Sequence, residues 1–144
     1  QLYLESIEVA KNTENSRSLS HALIGLSEVH ADLKEYAAAQ RLQRESISIR
    51  QQLGDLKGLA FSFDSLAASL DHLGNSLMAT QLESASAKIL KELGITISPA
   101  MHTENENFIS QLRAKLGDAP FEEAWASGHS MSLEKAVSLA MGNN

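Results

Sequence analysis

The sequence predicts an all-α chain built from repeated pairs of antiparallel helices. Three observations carry that expectation. Two Pro and eight Gly stand in 144 residues otherwise rich in Leu, Ala, Ser and Glu, a composition that favours helix over strand. Sliding the chain against itself gives one clear offset, 40 residues. Leu26, Leu33, Ala39, Leu42, Ser46, Ile49, Leu53 and Gly54 recur as Leu66, Leu73, Ala79, Leu82, Ser86, Ile89, Leu93 and Gly94. Within each copy the apolar positions step by three and four, the spacing of one helix face.

The elements follow in order. Residues 1–13 form a lone helix whose Leu2, Ser6 and Val9 anticipate Leu42, Ser46 and Ile49. Leu23, Leu26, His30 and Leu33 give a first helix over 18–32. Ala39, Leu42, Ser46, Ile49 and Leu53 give its partner over 35–52. The pattern returns over 57–73 and 76–93. Gly54 and Gly94 fall just past the second helix of each pair, where a left-handed C-cap favours Gly. Lys34-Glu35 and Gly74-Asn75 make the tight turns inside the pairs. Small residues at Ser27/Ala67, Ala39/Ala79 and Ser46/Ser86 let paired helices approach closely, and flanking Leu and Ile fill the gaps. The repeat region is therefore expected over 1–95: a half-unit at 1–15, then units at 18–54 and 57–94.

Residues 96–144 are expected to form C-terminal capping helices of the same domain. Ile95 to Thr103, with Pro99, reads as a connector, and a helix over 104–116 carries a stripe of Phe108, Leu112 and Leu116 that can cover the last repeat. Gly117-Asp118-Ala119-Pro120 separates it from a short helix with Phe121, Ala124 and Trp125 on its apolar face. Pro is tolerated in that first turn. Ser132 can cap a final helix with Leu133, Val137, Ala140 and Met141 on one side.

Charge and composition exclude several functions. Net charge is −6, and the acidic excess is even, with 9 basic against 12 acidic residues over 1–95 and 3 against 6 over 96–144. No basic stripe is available to neutralise phosphates, so direct nucleic-acid binding is not expected. No apolar run approaches the ~20 residues of a membrane span. The absence of Cys rules out disulfides and thiolate metal sites and fits a cytoplasmic chain. No phosphate-cradling GxxxxGK, HExxH or EF-hand loop occurs, so no cofactor, metal or catalytic residue is expected and the chain is not read as an enzyme. Asp71-His72 are neighbours about 100° apart on a helix, with no nucleophile or oxyanion donor beside them. The chain opens without Met inside a helix, as a piece of a longer protein would. Leu2, Ile7 and Val9 would then lack cover, and a homodimer through this half-unit is an expectation.

Leu26-Ser27, Lys34, Tyr36, Ala39 and Ser46-Ile47 in one unit resemble the tetratricopeptide repeat. So do Leu66-Ala67, Gly74, Ala79 and Ser86-Ala87 in the next. Two features depart from the pattern. Gln43 and Glu83 stand where the second helix usually carries an aromatic, and Tyr36 becomes Ser76. The period is 40 rather than ~34, which also suits HEAT-like pairs. Leu116 to Gly128 followed by Met131 to Val137 is similar to the C-terminal end of large bacterial ATP-binding regulators, such as LuxR-type and maltose-activator-like ones, and of cyclases. The resemblance implies a right-handed superhelix with a C-terminal helical cap, serving as a protein–protein interaction or sensor module. A small-molecule effector receptor coupled to an upstream ATPase is the alternative, and an accessory scaffold in a cyclase a further one.

Carrying the family's concave positions across places His21, Ile24, Glu28, Ala31 and Asp32 on one first helix, and Phe61, Asp64, Ala68, Asp71 and His72 on the next. That face is acidic and has no Lys or Arg. It is expected to receive a protein or peptide partner, and the charge favours a basic one, since held like charges repel until a partner neutralises them. A merely solvated acidic surface is the competing reading.

Overall fold

A computed structural model describes residues 2–13 and 15–142, with side chains from 2–7 and 15–142. They form eight helices: α1 Leu2–Thr13, α2 Ser16–Asp32, α3 Tyr36–Leu53, α4 Leu56–His72, α5 Ser76–Glu92, α6 Pro99–Leu116, α7 Asp118–Ser130 and α8 Leu133–Ala140. No strand occurs among the described residues.

The 40-residue offset is written into the backbone. Lys34 and Gly74 close the turns inside the pairs with φ 62° and 90°, and Gly54 and Gly94 end the second helices, each with φ 67°. After α2 and α4, the N–H groups of Glu35 and Asn75 reach back to the carbonyls of His30 and Leu70, at 2.8 Å in both turns. These six-to-one closures satisfy carbonyls that a helix end leaves open. Helix starts repeat as well. Asn15 and Asp55 share φ −84° and accept hydrogen bonds from the N–H groups of Ser18 and Gly58.

Packing inside the pairs explains the repeated serines. Ser46 Oγ donates to the Ser20 carbonyl at 3.3 Å, and Ser86 Oγ donates to the Ala60 carbonyl at 2.7 Å, both bonds displaced by 40 residues. A small hydroxyl thus sits where two helix backbones approach. Around it Ile47, Leu59, Phe63, Leu66 and Leu82 are fully buried in one core that continues through Leu112, Phe121 and Val137. Burying a side chain of this size is worth ~1.5–3 kcal/mol. Arg50 is also buried. Its Nη1 donates to the Gly58 carbonyl (2.8 Å) and to Ser62 Oγ (2.7 Å), tying α3 to α4.

The C-terminal region differs from expectation in two ways. Residues 99–103 belong to α6, which starts at Pro99 behind the N-cap Ser98. Proline suits a first helical position because its missing N–H has no partner there in any case. And α7, more than α6, covers α5. The small residues Ser84 and Gly128 allow this approach: Ser84 Oγ donates to the Trp125 carbonyl at 2.7 Å. Ser132 caps α8 as its position predicts, accepting from Lys135 N–H. From there α8 returns to α3, where Arg44 Nε donates to the Ala140 carbonyl at 2.8 Å.

Candidate functional site

The C-terminal halves of α2 and α4, the N-terminal half of α3 and the middle of α6 converge on a cavity of about 490 Å³. Glu28, Ala31 and Asp32 enter from α2, and Tyr36 and Gln43 from α3. Asp64, Ala68 and His72 come from α4 with Ser65 and Ser69, and Glu104, Asn105 and Phe108 from α6. Four carboxyl side chains and no Lys or Arg line it. The His72 ring stacks on Tyr36 at one edge, with centroids 4.1 Å apart.

Of the residues assigned to the concave face from sequence, Glu28, Asp32, Asp64 and His72 come together here, with Ala31 and Ala68 between them. His21 is exposed and Phe61 half-buried, and neither lines this cavity. Asp71 turns away from it. Its side chain is buried, accepts from Ser76 Oγ at 2.7 Å, and pairs with Lys115 Nζ of α6 at 2.7 Å. Burial by itself raises the Asp71 carboxyl. The hydrogen bonds from Lys115 and Ser76, with the charges of Lys115 and His72, outweigh that and hold it below the usual carboxylate range.

Concave-face reasoning passed over two buried residues, Gln43 in the wall of this cavity and Glu83 in that of a second one. Gln43 and Glu83 are each only 3% exposed, and the Oε1 atom of each is buried without a hydrogen-bond partner. A signal for them is present in the repeat. Tyr3, Gln43 and Glu83 are spaced by 40, and so are Gly25, Ser65 and Asn105. At the first interface the Tyr3 ring lies on Gly25, so closely that a Cβ there would collide with it. At the second, Gln43 and Ser65 share the wall of the cavity. At the third, Glu83 and Asn105 share the wall of another, about 400 Å³, with Leu90, Ile95, Ile97, Ile109 and Trp125. An aromatic ring fills the first seam, and shorter polar side chains leave the next two open.

Asp64 and Glu83 join the two cavities, one carboxyl lining each, and are hydrogen-bonded to one another. Burial, then the hydrogen bond and charge of Asp64, push the Glu83 carboxyl up to about 10. The two carboxyls therefore hold one proton between them at neutral pH. Among the described residues no group of three or more His, Asp or Glu is placed to hold a metal ion. The arrangement offers hydrogen-bond acceptors and negative charge to a visiting group. No protein-family model, curated protein or solved structure matches the chain.

Proposed function

We propose that this chain is a tetratricopeptide-like interaction module whose concave side binds a basic segment of a protein partner. In this reading α2/α3 and α4/α5 are two repeat units that stack, with α1 before them and α6–α8 as the cap, in a right-handed superhelix. The module belongs to a cytoplasmic bacterial signalling or transcription regulator and performs no catalysis of its own. One observation carries the binding assignment: Glu28, Asp32, Asp64 and Glu104 converge on a single cavity with no Lys or Arg in its lining. Carboxylates gathered on a concave wall focus negative potential there and favour a cationic partner. No helix among the described residues is long and apolar enough to cross a membrane, which fits this placement.

Fluorescence anisotropy with labelled basic, neutral and acidic peptides tests the assignment. Basic peptides should bind saturably, and their affinity should fall as salt screens the groove. Equal affinity for neutral peptides would sink it.

The second cavity favours the alternative, an effector receptor, because Leu90, Ile95, Ile97, Ile109 and Trp125 give it apolar and aromatic walls. Trp125 is the only tryptophan. A small apolar effector seated there should therefore shift the protein's indole emission, and a basic peptide in the first cavity should leave it unchanged.

Self-association through α1 is part of the same proposal. Leu2 is 78% exposed and Leu4 54%, and Ile7 is half-buried; the Val9 side chain lies outside the described residues. Light scattering should give a dimer mass that falls to a monomer in Leu2→Ser/Leu4→Ser. A monomer at all concentrations would end this part of the proposal.

A further inference from the structure

The acidic lining admits any cation, and the wall narrows the choice. Gln43 lies in the cavity wall, is nearly fully buried, and has an amide oxygen with no donor. That oxygen is shielded from the cavity as the amide stands, and a buried acceptor left unpaired costs ~1–3 kcal/mol, a cost relieved when the amide turns to a group that brings N–H donors. The neighbouring acceptor, Asp64, is held from behind by its hydrogen bond to Glu83. At the mouth, the stacked rings of Tyr36 and His72, within 4° of parallel, offer a flat surface. A planar cation with several divergent N–H groups matches these features better than a compact ammonium.

We propose that this cavity is a receptor for one arginine side chain of the basic partner, its guanidinium pairing with Asp64 and the Gln43 amide beside the Tyr36–His72 stack. The assignment rests on the basic-partner reading above and adds which group enters and where. Turning the Gln43 amide about its last bond presents the orphan oxygen to the guanidinium. Glu28, Asp32 and Glu104 at the rim draw the charge in, and Glu83 is a positioning residue that fixes Asp64.

The test uses the full chain and three small probes: N-acetyl-argininamide, N-acetyl-lysinamide and N-acetyl-citrullinamide, the last an uncharged near-isostere of the first. Titrations are followed by NMR at the Gln43 side-chain amide and the His72 ring. The arginine probe should shift both signals saturably. Citrulline and lysine should bind at least tenfold more weakly. Asp64→Asn and Gln43→Leu should each weaken the arginine probe about tenfold. Glu45→Gln, the same charge change at an exposed position of α3, should leave it within twofold. Gln43→Leu fills the wall with an apolar group of similar length, so it keeps the test valid if Asp64→Asn disturbs folding.

Shifts spread evenly over acidic residues, equal losses in Asp64→Asn and Glu45→Gln, or equal affinity for lysine would each overturn the assignment. The two proposals fail separately. Labelled basic peptides that bind while Gln43 and His72 stay silent leave the basic-partner reading standing and remove this one. An arginine probe that binds where basic peptides do not does the reverse.

Discussion

The imidazole of His72 lies flat on the phenol ring of Tyr36, with centroids 4.1 Å apart and planes within 4° of parallel. The last residue of α4 is thereby joined to the first residue of α3, at the edge of the acidic cavity. This contact does not repeat. Forty residues after Tyr36 stands Ser76, whose hydroxyl serves Asp71 instead. The stack is therefore a local link between two helix pairs rather than a feature of the repeat.

A double-mutant cycle measures that link. Tyr36→Ala and His72→Ala should each lower stability, and the coupling between them should be about 0.5–1 kcal/mol, the low end for aromatic pairs because His72 is exposed. Urea midpoints of the two single variants and the double variant give the value. A coupling of zero would mean that the rings are neighbours without being partners.

Glu83 makes stability depend on pH in an unusual direction. Its folded-state carboxyl titrates near 10, against an ordinary value of 4.5. Between those values the folded chain keeps a proton that the unfolded chain has lost, so stability falls as pH rises. The contribution is complete below about pH 4.5, and the slope above it reaches about 1.4 kcal/mol per pH unit. Glu83→Gln keeps a donor toward Asp64 and removes the titration. Its stability should match the native chain near pH 5 and exceed it increasingly at pH 7 and 9. Parallel pH profiles for the two proteins would refute the buried proton.

Asp71 acts with the opposite sign. Because Lys115 and Ser76 hold its carboxyl below the ordinary 3.8, its contribution is present above that pH and is lost as pH falls through the lower folded value. Asp71→Asn should cost about 1–2 kcal/mol at pH 7, where a charge-assisted bond between α4 and α6 is weakened. The difference from the native chain should shrink below pH 3.8. Chemical unfolding at pH 7 and pH 3 checks this, and an undiminished difference at pH 3 would point to packing instead of charge.

What the sequence revealed, and what it hid, follows from the range of each interaction. Gly54, Gly74 and Gly94 were legible because a glycine at a turn leaves a local mark, whereas Lys34 was placed only by its position in the repeat, since lysine carries no sign of its positive φ. Ser46 and Ser86 were legible because their spacing repeats. Asp71 and His72 could not both face one cavity, being about 100° apart on α4. Which of them turned away was decided by Lys115, 44 residues further on, and no local pattern encodes that distance. Arg50 was hidden for a related reason: charged residues are assumed to be solvated unless paired, and its partners Gly58 and Ser62 sit on the next helix. Gln43 and Glu83 stood out only as departures from an aromatic position. They matter because Tyr3, at the same register, fills the first seam, while they leave the next two open.

Gly128 supplies the sharpest test of the cap. It is buried in the last turn of α7, where glycine is still up to ~1 kcal/mol worse than alanine on intrinsic preference. On propensity alone, Gly128→Ala should stabilise α7. The packing says the opposite, since a Cβ at this position would collide with the backbone carbonyl of Gln81 on α5. That carbonyl belongs to a helix and cannot rotate aside like a side chain, so α7 must shift as a body. The shift would pull Trp125 away from Ser84 and disturb Phe121, which stacks near Trp125 at 5.7 Å between ring centroids. Overpacking of this kind costs typically 1–3 kcal/mol, which exceeds the propensity gain. Gly128→Ala should therefore destabilise the chain by roughly 1–2 kcal/mol and alter the emission of Trp125, whereas Glu123→Ala, at an exposed position of the same helix, should do little. Alanine at 128 raising the urea midpoint would show that α7 does not sit this close to α5.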